Sequence, residues 1–144
     1  MKFMSGRSFV DTNILVYALA EAEDERHAIA QRLLESLLAE EGASLNVQVL
    51  KEFYSVVTGK LKKTLPRHEA VAIIRDLCHA FRVIDDTLPQ LERSLELVST
   101  KKISIWDASI IAAAEAGGCD EIYTEDLSPR ATIGGVRIVN PFRG

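Results

Sequence analysis

Short apolar runs alternate with longer amphipathic stretches along the whole chain, and this alternation limits the possible folds more than any other feature. Ser8 to Val10, Ala43 to Asn46, Arg82 to Ile84, Glu121 to Thr124 and Val136 to Val139 read as strands. Between them, Asn13 to Ala20, Glu23 to Glu40, Val47 to Thr58, Arg67 to Phe81, Thr87 to Ser99 and Ile105 to Ala116 read as helices. In the second of these, Ile29, Leu33, Leu34, Leu37 and Leu38 fall on one helical face. In the fourth, Val71, Ile74, Leu77 and Cys78 do so. Gly42, Gly117-Gly118 and Gly134-Gly135 are stops and turns. Strands joined through helices run the same way, so the pattern predicts an α/β domain around a mainly parallel sheet.

The chain has 144 residues, 47% of them hydrophobic and 26% charged, which suits one domain spanning residues 1–144 with its own core. No apolar run approaches the length of a membrane span. The start, Met1 to Ser8, has no apolar region that would make it a signal peptide. Cys78 and Cys119 stand far apart, without a CxxC pair or zinc-type spacing, and are expected to be reduced, buried thiols of a cytoplasmic protein. The formal net charge of -4 argues against a passive nucleic-acid coat, which needs a dominant basic face. It leaves room for a nucleic-acid enzyme that meets phosphate through a bound cation. Lys60, Lys62, Lys63 with Arg67, and Lys101 with Lys102, read first as solvated loop charges.

Four acids stand in apolar surroundings: Asp11, Glu52, Asp107 and Asp126. Each has an ordinary structural role open to it. Asp11 can cap the helix after it, and Asp107 can complete a capping arrangement with Ser104. Glu52 can be a helix surface charge, although Val49 and Val56 place it beside the buried stripe. Asp126 can belong to a turn before Ser128-Pro129. Asp11 follows the first strand and Asp126 the strand ending at Thr124; if those strands are neighbours, both acids face one crevice beyond their carboxyl ends. Partly buried carboxylates repel one another, so a fold holds several together only if protons or a cation neutralise them. Oxygen ligands without His or Cys favour a hard cation, Mg²⁺ or Mn²⁺.

The segments FVDTNILVY (from Phe9), NVQVLKEFY (from Asn46), WDASIIAAA (from Trp106) and YTEDL (from Tyr123) resemble, in order and interval, the four motifs of PIN domains. The ending GVRIVNPF (from Gly135) is similar to that family too, and the nearest likeness is to VapC-type toxins of bacterial toxin–antitoxin pairs. The resemblance implies a three-layer α/β/α sandwich and Mg²⁺- or Mn²⁺-dependent cleavage of RNA. It makes Asp11, Glu52, Asp107 and Asp126 the catalytic, metal-holding quartet, with Thr12, Asn13 and Thr124 in support. It further implies a VapB-like antitoxin, in some complexes with an Arg placed among the carboxylates, and a homodimer. The helices near Asn13 to Ala20 and Glu23 to Glu40 are candidate surfaces for it.

The competing reading is a non-catalytic module that binds RNA or protein and uses the acidic pocket as a cation or arginine receptor. A phosphoacceptor receiver domain resembles a different layout, with adjacent acids after the first strand and a late Lys; here Asp11 stands alone and Thr124 is followed by Glu125-Asp126. His27, His68 and His79 lack a nucleophile partner, and no GxGxxG or GxxxxGK[ST] loop is present. Trp106 and Tyr54 can stack bases, but their apolar helices point first to core packing or an interface.

Overall fold

In a computed structural model, which describes residues 7–127 and 132–143, six strands and six helices carry the alternation. The strands are β1 (Arg7–Val10), β2 (Ala43–Asn46), β3 (Arg82–Ile84), β4 (Cys119–Tyr123), β5 (Thr132–Ile133) and β6 (Val136–Val139). The helices are α1 (Thr12–Ala20), α2 (His27–Ala39), α3 (Val47–Gly59), α4 (Arg67–Ala80), α5 (Leu88–Lys101) and α6 (Ile105–Ala116). They form one sheet in the order β3-β2-β1-β4-β6-β5, parallel throughout except for the antiparallel β5–β6 pair.

Strand order fixes the layers. From β1 the chain steps outward through β2 to β3, and right-handed crossovers put α1 to α4 on one face. It then returns past β1 to β4, which reverses the direction of travel and puts α5 and α6 on the other face. The packing agrees: α1 lies against α2 and α3, α3 against α4, and α5 against α6, which itself meets β2, β4 and β6. The result is the expected three-layer α/β/α sandwich. Phe9, Val10, Leu45, Ile122 and Ile138 of the sheet are sealed between Ile14, Leu15 and Phe53 on one side and Ile111 and Ala113 on the other. Burying each large aliphatic or aromatic side chain is worth about 1.5–3 kcal/mol, so these layers hold the strand ends in fixed positions. Among the described residues no helix is long and apolar enough to cross a membrane.

The structure departs from the sequence reading at several points. The helix expected from Glu23 starts at His27. Asp24 accepts the backbone N–H of Arg26 at 2.8 Å, a local bond that competes with helix continuation. Ile29, expected inside, is exposed, and Ala30, Leu34 and Leu37 are the buried residues of α2. On α4 the buried stripe runs through Ala70 and Leu77, so Val71 and Cys78 turn outward and Cys119 alone is the buried thiol. Small Ala70 marks the contact face, which a search for large apolar residues overlooks. Strand β5 was too short to read from periodicity. It pairs with β6 across Gly134 and Gly135, whose φ of 58° and 86° fit the two-residue hairpin turn that favours glycine. The turn at Ser128-Pro129 and the reading of Met1 to Gly6 lie outside the described residues.

Candidate active site

Strand order reverses between β1 and β4, where one connection leaves toward β2 and the other toward β6. That is where a doubly wound sheet opens a crevice at its carboxyl edge. The backbone N–H of Asp11 donates to the Tyr123 carbonyl at 3.0 Å, tying the two strand ends together as they diverge. A cleft of about 360 Å³ opens there, and its wall includes Asp11, Glu52, Asp107 and Asp126. Four segments far apart in sequence thus bring their acids to one place: the end of β1, the second turn of α3, the first turn of α6 and the loop after β4.

Asp11, Glu52 and Asp107 keep their ordinary structural roles while facing the cleft. Asp11 caps α1, accepting the Thr12 backbone N–H at 2.8 Å on Oδ1. Its Oδ2 accepts the Thr124 hydroxyl at 2.8 Å. Asp107 sits in the first turn of α6, its backbone N–H donating to Ser104 Oγ at 3.0 Å. Glu52 is an exposed residue of α3 whose Oε1 accepts the Thr12 hydroxyl at 3.1 Å. Asp126 is exposed on its loop; Asn13 Nδ2 donates to its Oδ2 at 3.1 Å, and its own N–H donates to Thr124 Oγ1 at 3.1 Å. Capping and cleft-lining are therefore compatible, because a helix N-terminus at a strand end points its cap residue into the crevice.

Thr12, Asn13 and Thr124 are the connectors. Thr124, fully buried, donates to Asp11 and accepts from Asp126, so one hydroxyl spans two acids. Asn13 reaches Asp126 with its amide NH₂, and its Oδ1 accepts the Glu125 backbone N–H at 3.2 Å. Thr12 holds Glu52.

Burial pushes the Asp11 carboxyl up from 3.8 to about 6; the bonds from Thr124 and Thr12 oppose this, while the charges of Asp126 and Glu52 add to it. Burial likewise raises Asp107, with Ser104 opposing and Asp126 adding. These are groups that repel and lose hydration together. Among the described residues no Lys or Arg lines the cleft, and a fifth acid, Glu21, does. A site of this kind fits a divalent cation of the hard, oxygen-seeking type. Among the described residues no three His, Cys, Asp or Glu side chains are drawn close enough to enclose such an ion. The acids line an open cleft instead, an arrangement suited to an ion that keeps several of its waters.

Several lining residues were missed in the sequence. Tyr17 and Glu21 follow Asn13 at successive four-residue steps, and Gln48 and Val56 flank Glu52 by the same step. Helical spacing from the quartet would have found them. Trp106, expected in the core or an interface, is 64% exposed at the lip of the cleft. It stands in the first turn of α6, before that helix meets the sheet. Tyr54 is partly buried against the core.

A parallel-centred α/β/α sandwich with carboxylates gathered at its switch point defines a class of acidic-cleft α/β domains. Residues 8–132 match the model of the PIN domain, and the chain belongs to that family. No curated protein matches it by sequence. Among solved structures it is similar to Mycobacterium tuberculosis VapC20, a toxin described as cleaving the sarcin–ricin loop. The identity is 25%, the match covers 83% of this chain and 89% of that one, and the TM-score is 0.66. A toxin–antitoxin complex from Klebsiella pneumoniae matches at 23% identity over 94% and 98% of the two chains, with a TM-score of 0.68. VapBC2 of Rickettsia felis, bound to a promoter DNA fragment, matches at 20% over 91% and 96%, with a TM-score of 0.66. The last two likenesses concern the fold.

Proposed function

We propose that this chain is a Mg²⁺- or Mn²⁺-dependent endoribonuclease, the toxin of a toxin–antitoxin pair, acting as a single domain on RNA in the cytoplasm. The observation that carries the reading is the convergence of Asp11, Glu52, Asp107 and Asp126 on one cleft. Asp11, Asp107 and Asp126 would hold the metal, directly or through water. When bound, the ion acidifies a water and offsets the charge that develops on the phosphodiester. Asp11, its lone pairs aimed by Thr12 N–H and Thr124 Oγ1, cannot turn away from the cleft. Glu52 Oε1 is held by the Thr12 hydroxyl, and the carboxylate would orient the attacking water or hold a second ion. The expected products end in 5′-phosphate and 3′-hydroxyl.

RNA as substrate class is supported by the description of the Mycobacterium tuberculosis relative as a sarcin–ricin loop cleaving toxin. A VapB-like antitoxin is supported by the Klebsiella and Rickettsia complexes. An Arg of such a partner would find several acceptors in this cleft. A homodimer is supported by α5, which buries Gln90 and Ser94 while turning Leu88, Leu91 and Leu95 to solvent. That stripe is a further apolar surface that a second copy would cover, beside α1 and α2, which expose Leu19 and Ile29. Purified protein and Asp107→Asn, incubated with cellular RNA and Mn²⁺ and followed by end mapping, test the reading. Discrete cuts with 5′-phosphate ends from the wild type alone are expected, and equal cutting by both would overturn the site.

A further inference from the structure

Two adjacent acids, Glu125 and Asp126, follow β4, and only Asp126 lines the cleft. Glu125 is engaged elsewhere at both oxygens. Its Oε1 accepts the Tyr17 hydroxyl at 2.6 Å, and its Oε2 accepts Arg26 Nη1 at 2.7 Å. Arg26 is used on every side. Its Nε and Nη2 form a fork onto Asp24, each at 2.9 Å, and its guanidinium lies over the Tyr17 ring at 4.3 Å. The edge of Phe142 closes the other contact of that ring, with centroids 5.3 Å apart. The backbone beside Glu125 is pinned as well, its N–H donating to Asn13 Oδ1.

We propose that the Asp24–Arg26–Tyr17 assembly is a clamp on Glu125 that positions Asp126 in the acidic cleft. The proposal rests on the nuclease reading above and adds positioning residues to it. Glu125 and Asp126 are neighbours in the bend after β4 and their side chains leave the backbone in different directions, so fixing one aims the other. With Glu125 drawn toward Arg26, Asp126 is left to Asn13 and the cleft. The clamp also pairs the Glu125 charge with a guanidinium outside the cleft, so it adds little to the repulsion among Asp11, Asp107 and Asp126. Arg suits this place because its planar fork serves Asp24 while a third nitrogen and the flat face remain free. Lys, with its three donors on one nitrogen and no planar face, could not make all four contacts.

The test is a Mn²⁺ titration without RNA, read by fluorescence of Trp106, the one tryptophan of the chain, which lines the same cleft. Wild type, Glu125→Ala, Glu125→Gln and Arg26→Gln are compared, with urea denaturation in EDTA as a check on folding. Arg26 lies half-buried on the turn before α2, outside the core, so its variant remains informative if Glu125→Ala fails to fold. Glu125→Gln can keep both contacts, its oxygen accepting from Arg26 and its NH₂ donating to Tyr17. Loss of the clamp is expected to raise half-saturating Mn²⁺ about tenfold in Glu125→Ala and Arg26→Gln and about twofold or less in Glu125→Gln. Cleavage at saturating Mn²⁺ should return toward the wild-type rate, because the quartet itself is intact. Saturable quenching in the wild type with unchanged midpoints in Glu125→Ala and Arg26→Gln would overturn the clamp and leave the nuclease reading standing. Absence of saturable quenching in the wild type would overturn both.

Discussion

Asp11→Asn is expected to make the metal-free protein more stable at neutral pH while removing its nuclease activity. The Asp11 carboxyl is raised from 3.8 to about 6, chiefly by burial. A group raised on folding favours the native state when protonated, and that contribution is complete below its unfolded value. It is lost as the pH rises through about 6. At 1.36 kcal/mol per pH unit, holding Asp11 ionised costs the fold roughly 3 kcal/mol above pH 7. Asn keeps the cap on α1 through its oxygen, but its NH₂ competes with the Asp126 N–H for Thr124 Oγ1. About half the gain should survive, some 1–2 kcal/mol, or roughly 3–6 °C in Tm for a domain of this size. Urea denaturation in EDTA at pH 4 and pH 8 reads it directly. The variant should be within error of the wild type at pH 4 and clearly more stable at pH 8. Equal stabilities at both pH values would refute the claim that the charge is held against a desolvation cost.

Three further outcomes follow from the same geometry. Thr124→Val removes the hydroxyl that lowers Asp11, so the ascending limb of the pH–rate profile should move to higher pH, with about a tenfold loss of rate near neutrality; an unmoved limb would contradict the link. Gly134→Ala puts a Cβ at φ 58° against Glu115 Oε2, which Arg93 holds at 2.9 Å, and should cost about 1–3 kcal/mol in denaturation. Gly59→Ala, with open space around it, is the control and should cost nothing. Leu91→Glu should yield monomers in light scattering if α5 is the dimer face, and an unchanged mass would remove that surface from consideration.

Much of this arrangement was legible in the sequence because two periodicities carry it. The strands β2, β3 and β6 and the helix α6 have the expected bounds, since each apolar run is framed by a polar residue or glycine. Asp11, Asp107 and Asp126 could be read as a group because each follows a strand end or begins a helix, where chain direction leaves a carboxylate little choice of face; Glu52, in the second turn of α3, joined them through its place beside the buried stripe. What remained hidden depends on packing across elements. Ala70 carries the contact face of α4, and Gln90 and Ser94 are buried with Leu97 on α5 while Leu88, Leu91 and Leu95 face solvent, an inversion that composition cannot reveal. The start of α2 shifted because Asp24 and Arg26 bond to each other, and Arg26 then reaches a residue 99 positions away. Glu125 stands next to Asp126 with the same charge, and the positions of Tyr17 and Arg26 separate their surroundings.

The central claim is that the gathered carboxylates cut RNA with a metal ion. Wild type and Asp11→Asn should each be incubated with total cellular RNA in Mg²⁺, in Mn²⁺ and in EDTA. Discrete fragments from the wild type with either metal, none in EDTA and none from Asp11→Asn, are the predicted result. Cleavage that survives EDTA or the Asp11→Asn change would contradict the account. So would binding of metal by the wild type without cleavage of any RNA, which would leave a module with an acidic cation pocket.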